Sequence, residues 1–139
     1  VKPEWVIPGI LAKSARPGRE LGRDLKVPKP VVDSWIEKVK TMGIKSIICL
    51  LEKEQMEYFY EDLPRDLLSY YRENGFEVAH IPLSDPEKDP RGWKVLEKNL
   101  EKTWQAFQSL PKPVLVHCSA GKNRSERVAK FICDHFSQA

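Results

Sequence analysis

Cysteine is scarce in this chain: three residues in 139, an odd number with no paired spacing. That pattern does not build a disulfide-stapled scaffold. Long apolar runs are missing too. None approaches the roughly 20 residues needed to cross a bilayer, and the first residues lack the basic-then-apolar order of a secretion signal. A cytoplasmic, reducing setting and no membrane span are the expectation. Charge of one sign is not in large excess: the formal net charge is +3, which suits an anionic substrate without requiring nucleic acid or a membrane. Repeats and low-complexity tracts are absent. The four tryptophans sit on apolar periodicities, so no aromatic platform for stacked bases is expected and DNA is not an expected partner.

What is present is ordinary globular chemistry. Hydrophobic residues make up 41% and charged residues 31%, and the length suits one domain over 1–139 with a real core. Trp5-Val6-Ile7 and Ile10-Leu11-Ala12 read as two short strands around the Pro8-Gly9 turn. A basic, proline-containing stretch from Lys13 to Pro30 has no apolar periodicity, and reads as a surface wrap or a loop beside a substrate. Val32, Trp35, Ile36, Val39 and Met42 then recur at helical spacing, closed by Gly43.

Ser46-Ile47-Ile48-Cys49-Leu50-Leu51 is a continuous apolar run, as in a strand covered on both faces. Met56, Phe59 and Tyr60 predict a short helix. Pro64 is placed to open the next one, carrying Leu67, Leu68 and Tyr71 and stopped by Asn74-Gly75. Phe76 to Leu83 is a second strand, and Trp93, Leu96, Leu100, Trp104, Phe107 and Leu110 mark a long amphipathic helix. Val114-Leu115-Val116 is a third buried strand. Val128, Ala129, Phe131, Ile132 and Phe136 stripe a last helix, with Cys133 among its apolar positions and His135 on its surface. The alternation predicts an α/β fold with a central, largely parallel sheet flanked by helices on both faces. Ligands in such sheets bind beyond the carboxyl ends of the strands.

His117-Cys118-Ser119-Ala120-Gly121-Lys122-Asn123-Arg124-Ser125 occupies such an end and runs into helix. Backbone N–H groups of a short loop that opens a helix converge on an anion, and the helix start adds about half a positive charge. The same field favours thiolate over thiol, which makes a cysteine placed there a nucleophile. Gly121 permits the tight backbone of a cradle, and Asn123 is a type that tolerates positive φ. Arg124, six positions after Cys118, can return a planar fork to two phosphate oxygens. The Ser125 hydroxyl can hydrogen-bond the cysteine sulfur.

A histidine, then cysteine, five residues, arginine and serine resembles the signature of the cysteine-based protein tyrosine phosphatase superfamily, in its compact dual-specificity branch. Ile7-Pro8-Gly9-Ile10-Leu11, Gly43-Ile44-Lys45-Ser46-Ile47-Ile48 and His80-Ile81-Pro82-Leu83-Ser84-Asp85 resemble other segments of that branch, so the likeness runs along nearly the whole chain. It implies a tyrosine-phosphatase-like fold and phosphomonoester hydrolysis through a phosphocysteine, acting on phosphotyrosine or phosphoserine and phosphothreonine in proteins. By the same resemblance Cys118 is the nucleophile, Arg124 the phosphate ligand and His117 the residue that positions the cysteine. Ser125 assists the second step. Ser119, Ala120, Gly121, Lys122 and Asn123 form the cradle. Asp85 is the general acid, with Asp89 the alternative in the same loop, and neither metal nor cofactor is required.

Two other readings stay open. Lys122 resembles the loop lysine of the superfamily's phosphoinositide phosphatases and Asn123 its RNA 5′-triphosphatase branch, which with the net basicity implies inositol phosphates, phosphoinositides or RNA 5′-triphosphate as alternative substrates. Glu126, where the family usually has glycine, points to a module that binds phosphate without turnover. Arg127 is read as facing solvent, Cys49 as a core residue or a redox partner of Cys118, and His80 as a structural histidine.

Overall fold

The structure, a computed structural model, describes residues 2–138. A hairpin opens the chain: β1 (Glu4–Ile7) and β2 (Leu11–Ser14) pair antiparallel. Then come α1 (Lys29–Thr41), β3 (Ser46–Cys49), α2 (Lys53–Phe59), α3 (Leu67–Glu73), β4 (Glu77–His80), α4 (Gly92–Ser109), β5 (Val114–His117) and α5 (Arg124–Gln138). The five strands form one sheet in the order β1-β2-β5-β3-β4, parallel everywhere except at β1. This is the α/β architecture that the alternation of elements implies.

Strand pleating splits the core in two, because successive side chains point to opposite faces. Ile47, Cys49 and Leu115 join α1, α2 and α3 through Trp35, Ile36, Val39, Met56 and Tyr71. Ile48, Leu50, Val114 and Val116 join α4 and α5 through Leu96, Leu100, Phe107, Val128 and Ile132. Strand β5 lies between β2 and β3, with His117 level with Ser14 on one side and Cys49 on the other. The carboxyl ends of three parallel strands therefore converge where the signature loop begins.

Several sequence expectations shift. Helix α3 starts at Leu67, three residues after Pro64, because Asp66 takes the cap and accepts from the Ser69 N–H at 3.0 Å; a carboxylate satisfies an orphan N–H that proline cannot. Regular strand β4 is only Glu77–His80, although the Ile81 and Leu83 N–H groups still donate to the Cys49 and Leu50 carbonyls at 3.0 and 3.1 Å before the loop around Asp85 begins. Trp93 is 49% exposed because it sits in the first turn of α4, ahead of the stripe that packs. His135 is half-buried rather than on the surface: its ring lies against Phe131 and Trp104, and Nδ1 is 3.0 Å from the Phe131 carbonyl. Cys133 is likewise only half-buried.

The core assignments predict unequal costs. Leu115→Ala, in the middle of the sheet, should lower unfolding free energy by about 3 kcal/mol. Trp93→Ala should stay within about 0.5 kcal/mol. Urea denaturation of both variants checks this, and equal losses would contradict the placement of Trp93.

Candidate active site

The segment from Cys118 to Asn123 is neither strand nor helix and links β5 to α5. Its course is set by neighbouring loops. Leu50 N–H donates to the His117 carbonyl at 3.0 Å, and Arg16 N–H donates to the Ser119 carbonyl at 2.9 Å. Gly121 has φ +76, and a Cβ there would stand 2.7 Å from the Ala15 nitrogen, so this position combines a left-handed backbone with a contact only glycine allows. Among the described residues no non-glycine residue has positive φ. The expected left-handed tolerance of Asn123 is therefore unused, since the single reversal at Gly121 already bends the loop.

Pinned this way, the loop leaves its own backbone donors unused. Among the described residues, none of the N–H groups from Ser119 to Asn123 donates to a backbone acceptor. Cys118, Ser119, Ala120, Lys122, Asn123 and Arg124 line one cavity of about 130 Å³, together with Asp85, Glu87 and Lys88 from the loop after β4. Its remaining walls are Gln55 and Phe59 of α2, and Arg19 and Arg23 of the 13–30 stretch. Cys118 is 1% exposed and lies at the bottom, with its sulfur 3.4 Å from Ser125 Oγ.

Arg124 is buried to 2% exposure, and Nη1 donates to the Leu83 carbonyl at 2.8 Å and to Gln55 Oε1 at 3.4 Å. Those bonds aim the guanidinium across the cavity. Asp85 Oδ2 sits 4.0 Å from Arg124 Nη2. Asp85 also accepts the Glu87 N–H at 3.0 Å, and Gly92, at the start of α4, packs so closely on Pro86 that a Cβ would be 2.6 Å from its Cα. Asp89 does not line the cavity. It accepts the Arg91 N–H at 2.9 Å at the opening of α4.

Behind Cys118, His117 is fully buried between Trp35 and Tyr71, with ring centroids 5.7 and 5.8 Å away. Nδ1 faces the Cys118 carbonyl at 3.2 Å, and Nε2 meets the Tyr71 hydroxyl at 2.9 Å. A carbonyl only accepts, so Nδ1 carries the proton and Nε2 accepts from Tyr71. Burial pulls His117 down to about 4 against the opposing pull of the Cys118 carbonyl, and burial pushes the Tyr71 hydroxyl well above its usual range. The imidazole is thus neutral, held in one tautomer, and fixes the backbone of Cys118.

Other candidates fall away from the cavity. Glu126 turns outward to Lys13 Nζ at 3.1 Å. Arg127 makes a two-pronged pair with Glu97 of α4 at 2.9 and 3.0 Å. His80 Nε2 meets the Leu51 carbonyl at 2.7 Å. Cys49 is in the core beside Met56, S–S 3.9 Å, and burial pushes its thiol up to about 12. Among the described residues no group of three His, Cys, Asp or Glu side chains could hold a metal, and no helix is long and apolar enough to cross a membrane.

Arg19, Arg23, Gln55, Phe59 and Tyr71 were not singled out as site residues from the sequence. Only the basic character of the 13–30 stretch carried a trace of them.

Two measurements check this geometry. Unfolding releases a histidine from about 4 to its ordinary 6.5, so the unfolded chain binds more protons between those values and stability falls as pH drops through that window. About 2 kcal/mol should be lost between about pH 7.5 and about pH 5, with a visibly flatter dependence in His117→Gln. Separately, Gly121→Ala should weaken phosphate or vanadate binding at least about tenfold, because the strained cradle moves. Unchanged affinity would contradict the contact with Ala15.

Comparison with known proteins bears on the fold. No family model matches the chain. It is 26% identical over 121 residues to the phosphoglucan phosphatase DSP4, amyloplastic, of Castanea sativa, covering 86% of this chain but 30% of that protein. A DUF442 protein of Shewanella putrefaciens CN-32, described as a phosphatase, superposes with TM-score 0.65 at 19% identity, over 98% of this chain and 72% of that one. Kinase associated phosphatase, with its catalytic-site cysteine replaced by serine, gives 0.62 at 22%, over 93% and 67%. The core catalytic domain of the S. cerevisiae PP-IP phosphatase SIW14 gives 0.56 at 17%, over 99% and 69%. With a Cys-x5-Arg loop at the end of its central strand and this sheet around it, the chain has the fold of the cysteine-based protein tyrosine phosphatase superfamily.

Proposed function

We propose that this protein is a phosphatase acting through a covalent phosphocysteine on Cys118. One observation carries the reading: the Cys118 sulfur, the Arg124 guanidinium, Asp85 and a run of backbone N–H groups without backbone acceptors share a single cavity. Each has one use there. The Cys118 thiolate attacks phosphorus, forming an S–P bond as the O–P bond to the leaving group breaks. Protonated Asp85 gives its proton to the departing oxygen. Arg124 and the loop amides hold the charge on the three equatorial oxygens, fixed in place before reaction.

In the second step water attacks phosphorus and Asp85 takes its proton. The S–P bond breaks, and the sulfur leaves as thiolate, accepting from Ser125 Oγ–H. The net result is water added across the O–P bond. His117 touches no reacting atom and is a positioning residue.

The named relatives support phosphate transfer on very different carriers, from a phosphoglucan to a PP-IP. The phosphoprotein substrates implied by the resemblance therefore rest on it alone, and the mouth of the cavity has to decide among them. A silent phosphate-binding module loses its motive, since Glu126 is engaged with Lys13 outside the cavity.

Cys118→Ser should abolish p-nitrophenyl phosphate hydrolysis, and surviving turnover would reject the covalent route. Asp85→Asn should lower kcat at least about a hundredfold and Asp89→Asn less than about fivefold. The reverse order would move the acid to Asp89.

A further inference from the structure

Charge around the cavity exceeds what one phosphate needs. Five cations line it (Arg19, Arg23, Lys88, Lys122 and Arg124) against two carboxylates, Asp85 and Glu87. Arg124 and the loop amides account for the phosphate being transferred. The other four form no ion pair with a carboxylate among the described residues, so their charge is not neutralised within the cavity wall. Arg19 goes further: it is half-buried, and its Nε is buried with no hydrogen-bond partner. A desolvated guanidinium N–H without an acceptor is costly, and an anion is what relieves it.

The segment bearing Arg19 and Arg23 is built as a rigid mount. Gly18 sits at φ +78 so close to Val27 that a Cβ would lie 2.4 Å from Cγ1. The Tyr60 hydroxyl donates to the Pro17 carbonyl at 2.7 Å, and Val27 N–H donates to the Phe59 carbonyl at 2.9 Å. Arg16, itself buried, stacks its guanidinium 3.6 Å from the Phe59 ring centroid and donates to the Arg23 carbonyl at 3.1 Å. The backbone that carries Arg19 and Arg23 is thus fixed at the cavity wall before a ligand arrives, which lowers the ordering cost of binding.

Resting on the phosphatase reading above, we propose that Arg19 and Arg23, faced by Lys122 and Lys88, form a second phosphate subsite beside the reacting one. The substrate it fits is a compact molecule carrying adjacent phosphates, rather than an isolated phosphotyrosine. Adjacency follows from size: all five cations line one space of about 130 Å³, so the two phosphates share a small scaffold or an anhydride link.

Two assays test this. In the first, Cys118→Ser protein, which binds without turnover, is titrated with inositol hexakisphosphate, inorganic triphosphate and a phosphotyrosine peptide. Adding Arg19→Gln and Arg23→Gln should weaken binding of at least one of the first two about tenfold more than of the peptide. Which of them responds separates clustered esters from anhydride-linked phosphates. Adding Lys40→Gln and Lys102→Gln, which removes equal charge at exposed sites elsewhere, should not reproduce that selectivity.

In the second, with Cys118 intact, phosphate release from the same multiply phosphorylated ligand should lose at least about tenfold more kcat/KM in the arginine double variant than p-nitrophenyl phosphate does. Equal losses on all ligands, tighter binding of the peptide than of both polyphosphates, or the same selectivity in the lysine control would overturn the subsite. Binding selectivity without any turnover would instead leave the subsite standing and refute the phosphatase reading.

Discussion

The candidate site depends on a loop whose backbone N–H groups from Ser119 to Asn123 have, among the described residues, no backbone acceptors of their own. Left free, such a loop would satisfy its amides within a longer helix or in water. Here two outside hydrogen bonds, from Arg16 N–H and Leu50 N–H, take its carbonyls, and Gly121 lets it press against Ala15. Gly121 supplies the bend, and the segments just after β2 and β3 hold it.

That dependence explains why the residues behind the loop are as demanding as those in it. His117 has to be buried to lie beneath Cys118, and a buried imidazole is tolerable only when neutral and fully hydrogen-bonded. Tyr71, 46 positions away in sequence, supplies the donor. Arg124 is also buried, and the Leu83 carbonyl and Gln55 meet one of its nitrogens. Polar groups at the centre of an apolar sheet end are thus tied, one by one, to elements on both faces.

The mouth follows a different logic. Its cations come from three separate segments, and most are exposed, so each alone would be an unremarkable surface charge. What distinguishes them is that they share one wall of a single cavity.

Much of this was readable from residues alone. The continuous apolar runs at 46–51 and 114–116 marked strands covered on both sides, because only parallel strands under two layers of helix need that composition. The Cys118-to-Arg124 spacing at a strand-to-helix junction marked the two residues that line one cavity, since local chemistry and local geometry are both encoded within a few neighbouring residues. Tertiary structure decided the rest. Asp85 rather than Asp89 reaches the cavity because Gly92 seats on Pro86; Glu126 is harmless because Lys13, 113 positions away, draws it off. Arg19, Arg23, Phe59 and Tyr71 join the site only once the sheet brings distant segments together. Contacts over such separations leave no periodicity or spacing in the chain to be read.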